Sequence, residues 1–259
     1  MVFLWVIPNY YASHLYGNRY RCFSFPLDYY PLIIDYCSVT DQLLTERRAR
    51  FKKLYKKLRE IYPVEPESFL AFVTPWQLLV AVILSARCTD EQVNKVTPVL
   101  FSKYPDADSL ATAPLSVIEE LVHSTGFYRQ KAKAIQGAAQ AVVRDFAGVT
   151  PQAMEDLIQL PGVGRKTANV VRYFVWGVAT GVVVDTHIKR FAIRYDLTDH
   201  AQPEKIEGDL MDVVPEKEWG NVAYYILRYG RGIAPAKKYD TSTDPLVAIY
   251  PPAGKIFRV

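Results

Sequence analysis

The chain has 259 residues, 50% of them hydrophobic, enough for one large domain or two modest ones with a real core. Its net charge of +4 resides wholly in residues 41–259, because Arg19 and Arg21 balance Asp28 and Asp35; this suits a polyanionic partner without establishing one. The three cysteines, Cys22, Cys37 and Cys88, include no close pair with metal spacing, so neither a disulfide scaffold nor a zinc site is indicated and a reducing cytosol fits.

Residues 1–40 form an N-terminal extension rich in aromatics and without lysine, and Pro8, Pro26 and Pro31 interrupt any period. Its start lacks the basic segment and cleavage site of a secretory signal, and one reading places the working start near Val39 to Leu44. From Asp41 onward the pattern is of successive helices with short polar breaks and no sustained alternation, so the expected class is all-α. Asp41–Ile61 places Leu44, Phe51, Leu54, Leu58 and Ile61 on one stripe, with Arg47, Arg48, Arg50, Lys52, Lys53, Lys56, Lys57 and Arg59 on the other faces. That basic side reads as a solvated face or a phosphate-contact surface. The apolar run Trp76–Ala86 is about half a membrane span and reads as a buried core helix, so no membrane association is expected.

Thr89-Asp90-Glu91-Gln92 has capping-box spacing for a helix to about Ser102. Helices are predicted near 115–124 and 130–146, and Thr150-Pro151 offers an N-cap and an N1 proline for a helix from Pro151 to Leu160. After a hairpin, a helix carrying Lys166 follows, then helices near 186–195, 203–213 and 217–229. The tail from Gly230 reads as irregular, packed by Ile233, Leu246, Val247, Ile249 and Phe257, with Lys237 and Lys238 available for phosphate.

The hairpin Leu160-Pro161-Gly162-Val163-Gly164-Arg165-Lys166-Thr167-Ala168-Asn169 is the most informative segment. Its glycines permit positive φ and leave amides uncovered, and the next helix directs further free amides the same way, making an anion site for a DNA phosphate. Lys166 occupies the first helical turn, where the positive end of the dipole and adjacent Arg165 disfavour an ammonium, while DNA phosphates act the other way. A neutral amine is a nucleophile able to form a Schiff base. Asp185, after three valines and before Thr186-His187-Ile188, reads as an N-cap. It also stands among Lys189, Arg190 and Arg194, where a carboxylate opposes DNA binding and is suited to a positive charge developing elsewhere, such as an oxocarbenium-like sugar.

With these motifs the chain resembles the helix-hairpin-helix DNA glycosylase superfamily, specifically its endonuclease III branch. The resemblance rests on Leu84-Ser85-Ala86-Arg87-Cys88-Thr89-Asp90, Gly126-Phe127-Tyr128, Leu160 to Asn169 and Val184 to His187, and runs over roughly two thirds of the chain, from about Leu54 to Arg231. It implies a bifunctional enzyme that excises oxidised pyrimidines from duplex DNA and cleaves the abasic strand by β-elimination. By motif, Lys166 would be the nucleophile and Asp185 its carboxylate partner. Arg87 and Phe127 would fill the gap left by the extruded base, and Gly162, Val163, Gly164 and Arg165 would hold the backbone. Arginine at 87, where relatives commonly have glutamine, puts lesion preference in question.

The resemblance further implies two helical lobes with a DNA-binding cleft between them: residues 68–180 as a six-helix lobe, and 41–67 with 181–259 as a discontinuous one. Relatives usually carry four cysteines for a [4Fe–4S] cluster just after the stretch matching Leu227–Arg231. Here no cysteine follows Cys88, so no cluster and no other cofactor or metal is expected. The expected partner is double-stranded DNA with damaged bases or abasic sites, bound by a cytoplasmic monomer. Rival readings are a monofunctional or mismatch-specific glycosylase, a non-catalytic damage-binding module, and a helical metabolic enzyme with a small acidic substrate. Salt-sensitive duplex binding would separate the last from the others.

Overall fold

The computed structural model describes residues 30–237 and 239–255, with side chains from Asp41 onward. The aromatic extension up to residue 29, Lys238 and Phe257 lie outside the described residues. The backbone divides into residues 1–43 and Leu44–Val259, and every site residue belongs to the second unit.

Among the described residues all regular structure is helical, as the periodicity predicts. Helix α1 (Tyr30–Ile61) begins well before the expected Asp41. Phe51, Leu54 and Leu58 are buried along its apolar stripe. Its arginines correct the expectation of a solvated or phosphate-facing surface. Arg47, only 7% exposed, reaches Asp199 at 2.7 Å and Asp196 at 3.4 Å, and Arg50 bonds both the carboxylate and the carbonyl of Asp196. The Arg48 guanidinium donates to the Asp212 carbonyl at 2.8 Å. Lys57 also pairs with Glu60 at 3.1 Å, so at least four of the eight cations counted toward the basic side have partners within the protein.

Helix α2 (Pro75–Leu84) is capped by Thr74, whose side chain accepts from the Gln77 N–H. Leu78, Leu79, Val80, Ala81 and Leu84 are all fully buried, the signature of an internal helix. In α3 (Asp90–Lys103), Thr89 caps the Gln92 N–H at 3.3 Å, but the expected reciprocal box does not form. The Gln92 amide is drawn instead to Ser124 Oγ at 2.7 Å. A complete box forms at Asp106 and Ser109, opening a short helix α4 (Ala107–Ala111) that periodicity did not predict.

Helices α5 (Leu115–Val122) and α6 (Tyr128–Phe146) follow, joined by a 3-10 turn over His123–Thr125. The predicted helix Pro151–Leu160 shrinks to α7 (Met154–Leu157). Thr150 and Pro151 are buried, and Ala153 stays extended at φ −67°, ψ 142°, so packing of that segment overrides its capping signal. Beyond the hairpin come α8 (Arg165–Trp176), α9 (Thr186–Arg194), α10 (Pro203–Val213) and α11 (Trp219–Gly232). The tail ends in a 3-10 turn over Pro251–Lys255.

Two hydrophobic cores result. One runs from Leu70 to Val171 and is centred on Leu79, Leu84, Ile118, Ile135 and Leu157. The other joins Phe51, Leu54 and Leu58 of α1 to residues between Val182 and Ala253, including Ile188, Phe191, Ile206, Val222 and Leu246. Each fully buried leucine or isoleucine contributes about 1.5–3 kcal/mol of hydrophobic stabilisation.

Candidate nucleic-acid interface and catalytic pair

In the hairpin, the Val163 N–H bonds the Leu160 carbonyl at 3.1 Å and the Val163 side chain is buried in the first core. Val163 is therefore turned inward, and Gly162, Gly164 and the start of α8 make the outward surface. The two glycines do different work. Gly162 sits at φ +78°, and a Cβ there would come within 2.9 Å of the Ala134 Cβ. Gly164 has an ordinary φ of −95° and open space where a Cβ would stand. No side chain caps α8, so its first-turn amides stay available beside Lys166, as an anion site requires.

Lys166 is exposed, and its ammonium forms no ion pair among the described residues. Arg165, 56% exposed at its side chain, lies 3.4 Å from Glu207 of α10, a long and screened contact. Asp185 is the N-cap of α9. Its Oδ1 accepts from the His187 and Ile188 N–H groups at 2.8 and 2.9 Å, leaving Oδ2 without a described hydrogen-bond donor. Lys166 and Asp185 line one cavity of about 400 Å³, together with Arg87, Asp90 and Arg231. A helix cap and a charged wall of the cavity are thus the same residue.

Arg87 and Phe127 both adopt left-handed backbone conformations, at φ +53° and +49°. The Arg87 guanidinium stands 5.4 Å from the Phe127 ring centre, and Phe127 is 56% exposed. An exposed aromatic on a left-handed turn is a candidate contact residue.

Three features escaped the sequence reading. Arg231, beside the cavity, pairs with Asp90 at 2.6 Å and lies 4.8 Å from the Phe69 ring, linking α11 to the start of α3. His187 packs so closely on Gly230 that a Cβ there would come within 2.3 Å of Nδ1. Arg194, counted among the site cations, is buried with its guanidinium 4.0 Å from the Tyr239 ring, and so faces no DNA.

The C-terminal stretch holds no cysteine and so offers no thiolate donor. Asp244 ties that stretch together. Its buried carboxylate accepts from the hydroxyls of Tyr195, Tyr229 and Tyr239 and from the Leu246 N–H at 2.8 Å.

Residues 80–216 match the description HhH-GPD superfamily base excision DNA repair protein. The chain belongs to that superfamily. The family assignment is reinforced by endonuclease III of Synechocystis, 50% identical over 195 residues that span 75% of this chain and 89% of the relative. Endonuclease III of Bacillus subtilis is 36% identical over 194 residues, 74% and 88% of the two chains. Among solved structures, an endonuclease III–DNA covalent intermediate trapped as an estranged-adenine complex superposes with a TM-score of 0.76 at 33% identity, covering 82% of this chain and 99% of that one. A non-covalent endonuclease III–DNA complex gives 0.75 at 33% identity, with 80% and 97% covered. The protein is accordingly a base excision repair enzyme, a DNA glycosylase of this family. Among the described residues no helix is long and apolar enough to cross a membrane.

Proposed function

We propose that the protein is a bifunctional glycosylase and abasic-site lyase acting on oxidised pyrimidines in duplex DNA. The observation that carries this reading is the placement of an unpaired Lys166 amine and the Asp185 carboxylate on the walls of one cavity beside an uncapped helix start. The amide-lined hairpin would hold a phosphate while the damaged nucleotide leaves the stack, at a cost of about a few kcal/mol that is lowest for damaged pairs. The Lys166 amine attacks C1′ as the C1′–base bond breaks and the base departs with a proton. Ring opening leaves a protonated imine. Loss of a 2′ proton then expels the 3′ phosphate by β-elimination, and water releases the lysine. Asp185, held by its capping bonds, stabilises the cationic sugar and assists the proton transfers.

Arg87 and Phe127 would occupy the space vacated by the base. The absence of cysteine beyond Cys88 supports a cluster-free enzyme, and a monomeric, cytoplasmic protein is part of the same reading. The test is borohydride trapping on a duplex with one abasic site, comparing the natural protein with Lys166→Ala. A covalent adduct that requires Lys166 is expected. No adduct from folded, DNA-binding protein would overturn the lyase.

A further inference from the structure

Lys131 of α6 is only 5% exposed, an unusual position for a lysine that has no carboxylate partner among the described residues. Its Nζ donates to the Thr125 carbonyl at 2.7 Å. Burial lowers its pKa, and the nearby Cys88 sulfur partly opposes that shift. Thr125 is itself buried, closes its own hydroxyl onto the Val122 carbonyl at 2.8 Å, and precedes Gly126 at φ +69° and Phe127 at φ +49°. Cys88 directly follows Arg87. The lysine therefore touches the turn that presents Phe127 and neighbours the turn that presents Arg87.

A hydrogen bond also links the segments that adjoin the two turns. The Gln92 side-chain amide, in the first turn of α3, donates to Ser124 Oγ at 2.7 Å. This is the contact that pulls Gln92 out of its capping box. One residue stands just beyond the Arg87 turn and the other just before Gly126-Phe127. Local rules would not place both polar side chains here, since a capping box and a solvated lysine were available to them.

We infer that Lys131 and Gln92 are positioning residues that lock the Arg87 and Phe127 turns into one rigid prong, which opens the duplex beside the damaged base. Neither touches the reacting atoms. The inference rests on the proposed glycosylase reading and adds to it the device that holds the two left-handed residues at a fixed separation. Unstacking a base step is unfavourable, so a loosened prong delivers less of the work that step requires.

The test uses the full chain and two duplexes: one with a single oxidised pyrimidine flanked by 2-aminopurine, whose fluorescence rises on unstacking, and one with a single abasic site, where no base has to be unpaired. For Gln92→Ala and Lys131→Met, singly and together, single-turnover base excision is expected to slow by about tenfold to a hundredfold, the range for misplaced substrate-positioning groups. The fluorescence rise should shrink while borohydride trapping on the abasic duplex stays within about twofold. Gln92→Glu, which can still accept from the Ser124 hydroxyl, should restore excision. Gln92→Ala lies at the partly exposed start of α3 and keeps the test available if Lys131→Met fails to fold. Unchanged excision and fluorescence in Gln92→Ala would overturn the inference, as would a parallel fall in excision and trapping. A natural protein that neither excises nor traps would instead refute the glycosylase–lyase reading itself.

Discussion

The Arg87 guanidinium lies 5.4 Å from the centre of the Phe127 ring, and both residues hold left-handed backbone conformations that only surrounding structure can sustain. Such a cation–π contact is worth about 0.5–1 kcal/mol at an exposed site. Loss of that contact accounts for only about a two- to fivefold effect. Because each truncation also removes the side chain that would fill the vacated space, Phe127→Ala should slow excision from duplex by about tenfold, and Arg87→Ala to a similar degree. The double variant should lose less than the sum, because the residues touch. A double-mutant cycle on single-turnover rates measures that shortfall; strict additivity would show the two acting separately.

Asp185 combines a cap with a charge, and the two can be separated. Asparagine is as good an N-cap as aspartate, whereas alanine costs about 1 kcal/mol at such a position. Asp185→Asn should keep the melting temperature and lose activity, and Asp185→Ala should lose both. Melting curves beside trapping rates would show it. Equal activity loss with equal melting loss in both variants would reduce Asp185 to a structural role.

The hairpin glycines should respond differently to alanine. Gly162→Ala places a Cβ against Ala134 at positive φ and should cost about 1–3 kcal/mol. For a chain of this size that lowers the melting temperature by about 2–4 °C per kcal/mol. Gly164→Ala meets open space in the free protein and should fold normally, yet weaken binding to duplex because the methyl group stands where a phosphate approaches. Calorimetry and salt-dependent DNA titrations distinguish the two.

Asp244 holds the C-terminal stretch onto the second core through Tyr195, Tyr229, Tyr239 and Leu246. Asp244→Ala leaves three tyrosine hydroxyls and the Leu246 N–H to find new partners, and unsatisfied buried polar groups cost about 1–3 kcal/mol each. A destabilisation of about 3 kcal/mol or more is expected in urea unfolding. A loss below about 1 kcal/mol would mean that water replaces the carboxylate.

His187 confers a pH dependence. Burial pulls its pKa below the ordinary 6.5, against the opposing pull of Asp185 and with help from Arg190 and Arg231. The unfolded chain thus takes up the proton first as pH falls through about 6.5. The stabilising contribution is complete above that value and is lost below it, until the folded form is protonated too. Melting temperatures between about pH 5 and 8 should fall more steeply toward acid for the natural protein than for His187→Asn. Parallel curves would remove His187 as the cause.

Much of the fold was legible because its signals are local. The internal helix at Pro75–Leu84, the bounds of Pro203–Val213, the glycine turn before α8 and the capping position of Asp185 all follow from neighbouring residues, period and backbone freedom. The helix predicted from Pro151 failed because burial of Thr150 and Pro151 outweighed a capping preference worth only about 1 kcal/mol.

Side-chain partners were decided by tertiary structure alone. By itself, the chain specified an all-helical protein with a glycine hairpin, a first-turn lysine and a capping carboxylate, since each depends on a few consecutive residues. Only the fold determined that Arg47 and Arg50 face Asp196 instead of phosphate, that Arg194 is buried against Tyr239, and that Gln92 leaves its own helix for Ser124. It also brought Lys166 and Asp185 to one cavity and gathered three tyrosines on Asp244. A charged or polar side chain takes whichever partner the packed cores bring within about 3 Å, and that approach is set by residues far away in the chain.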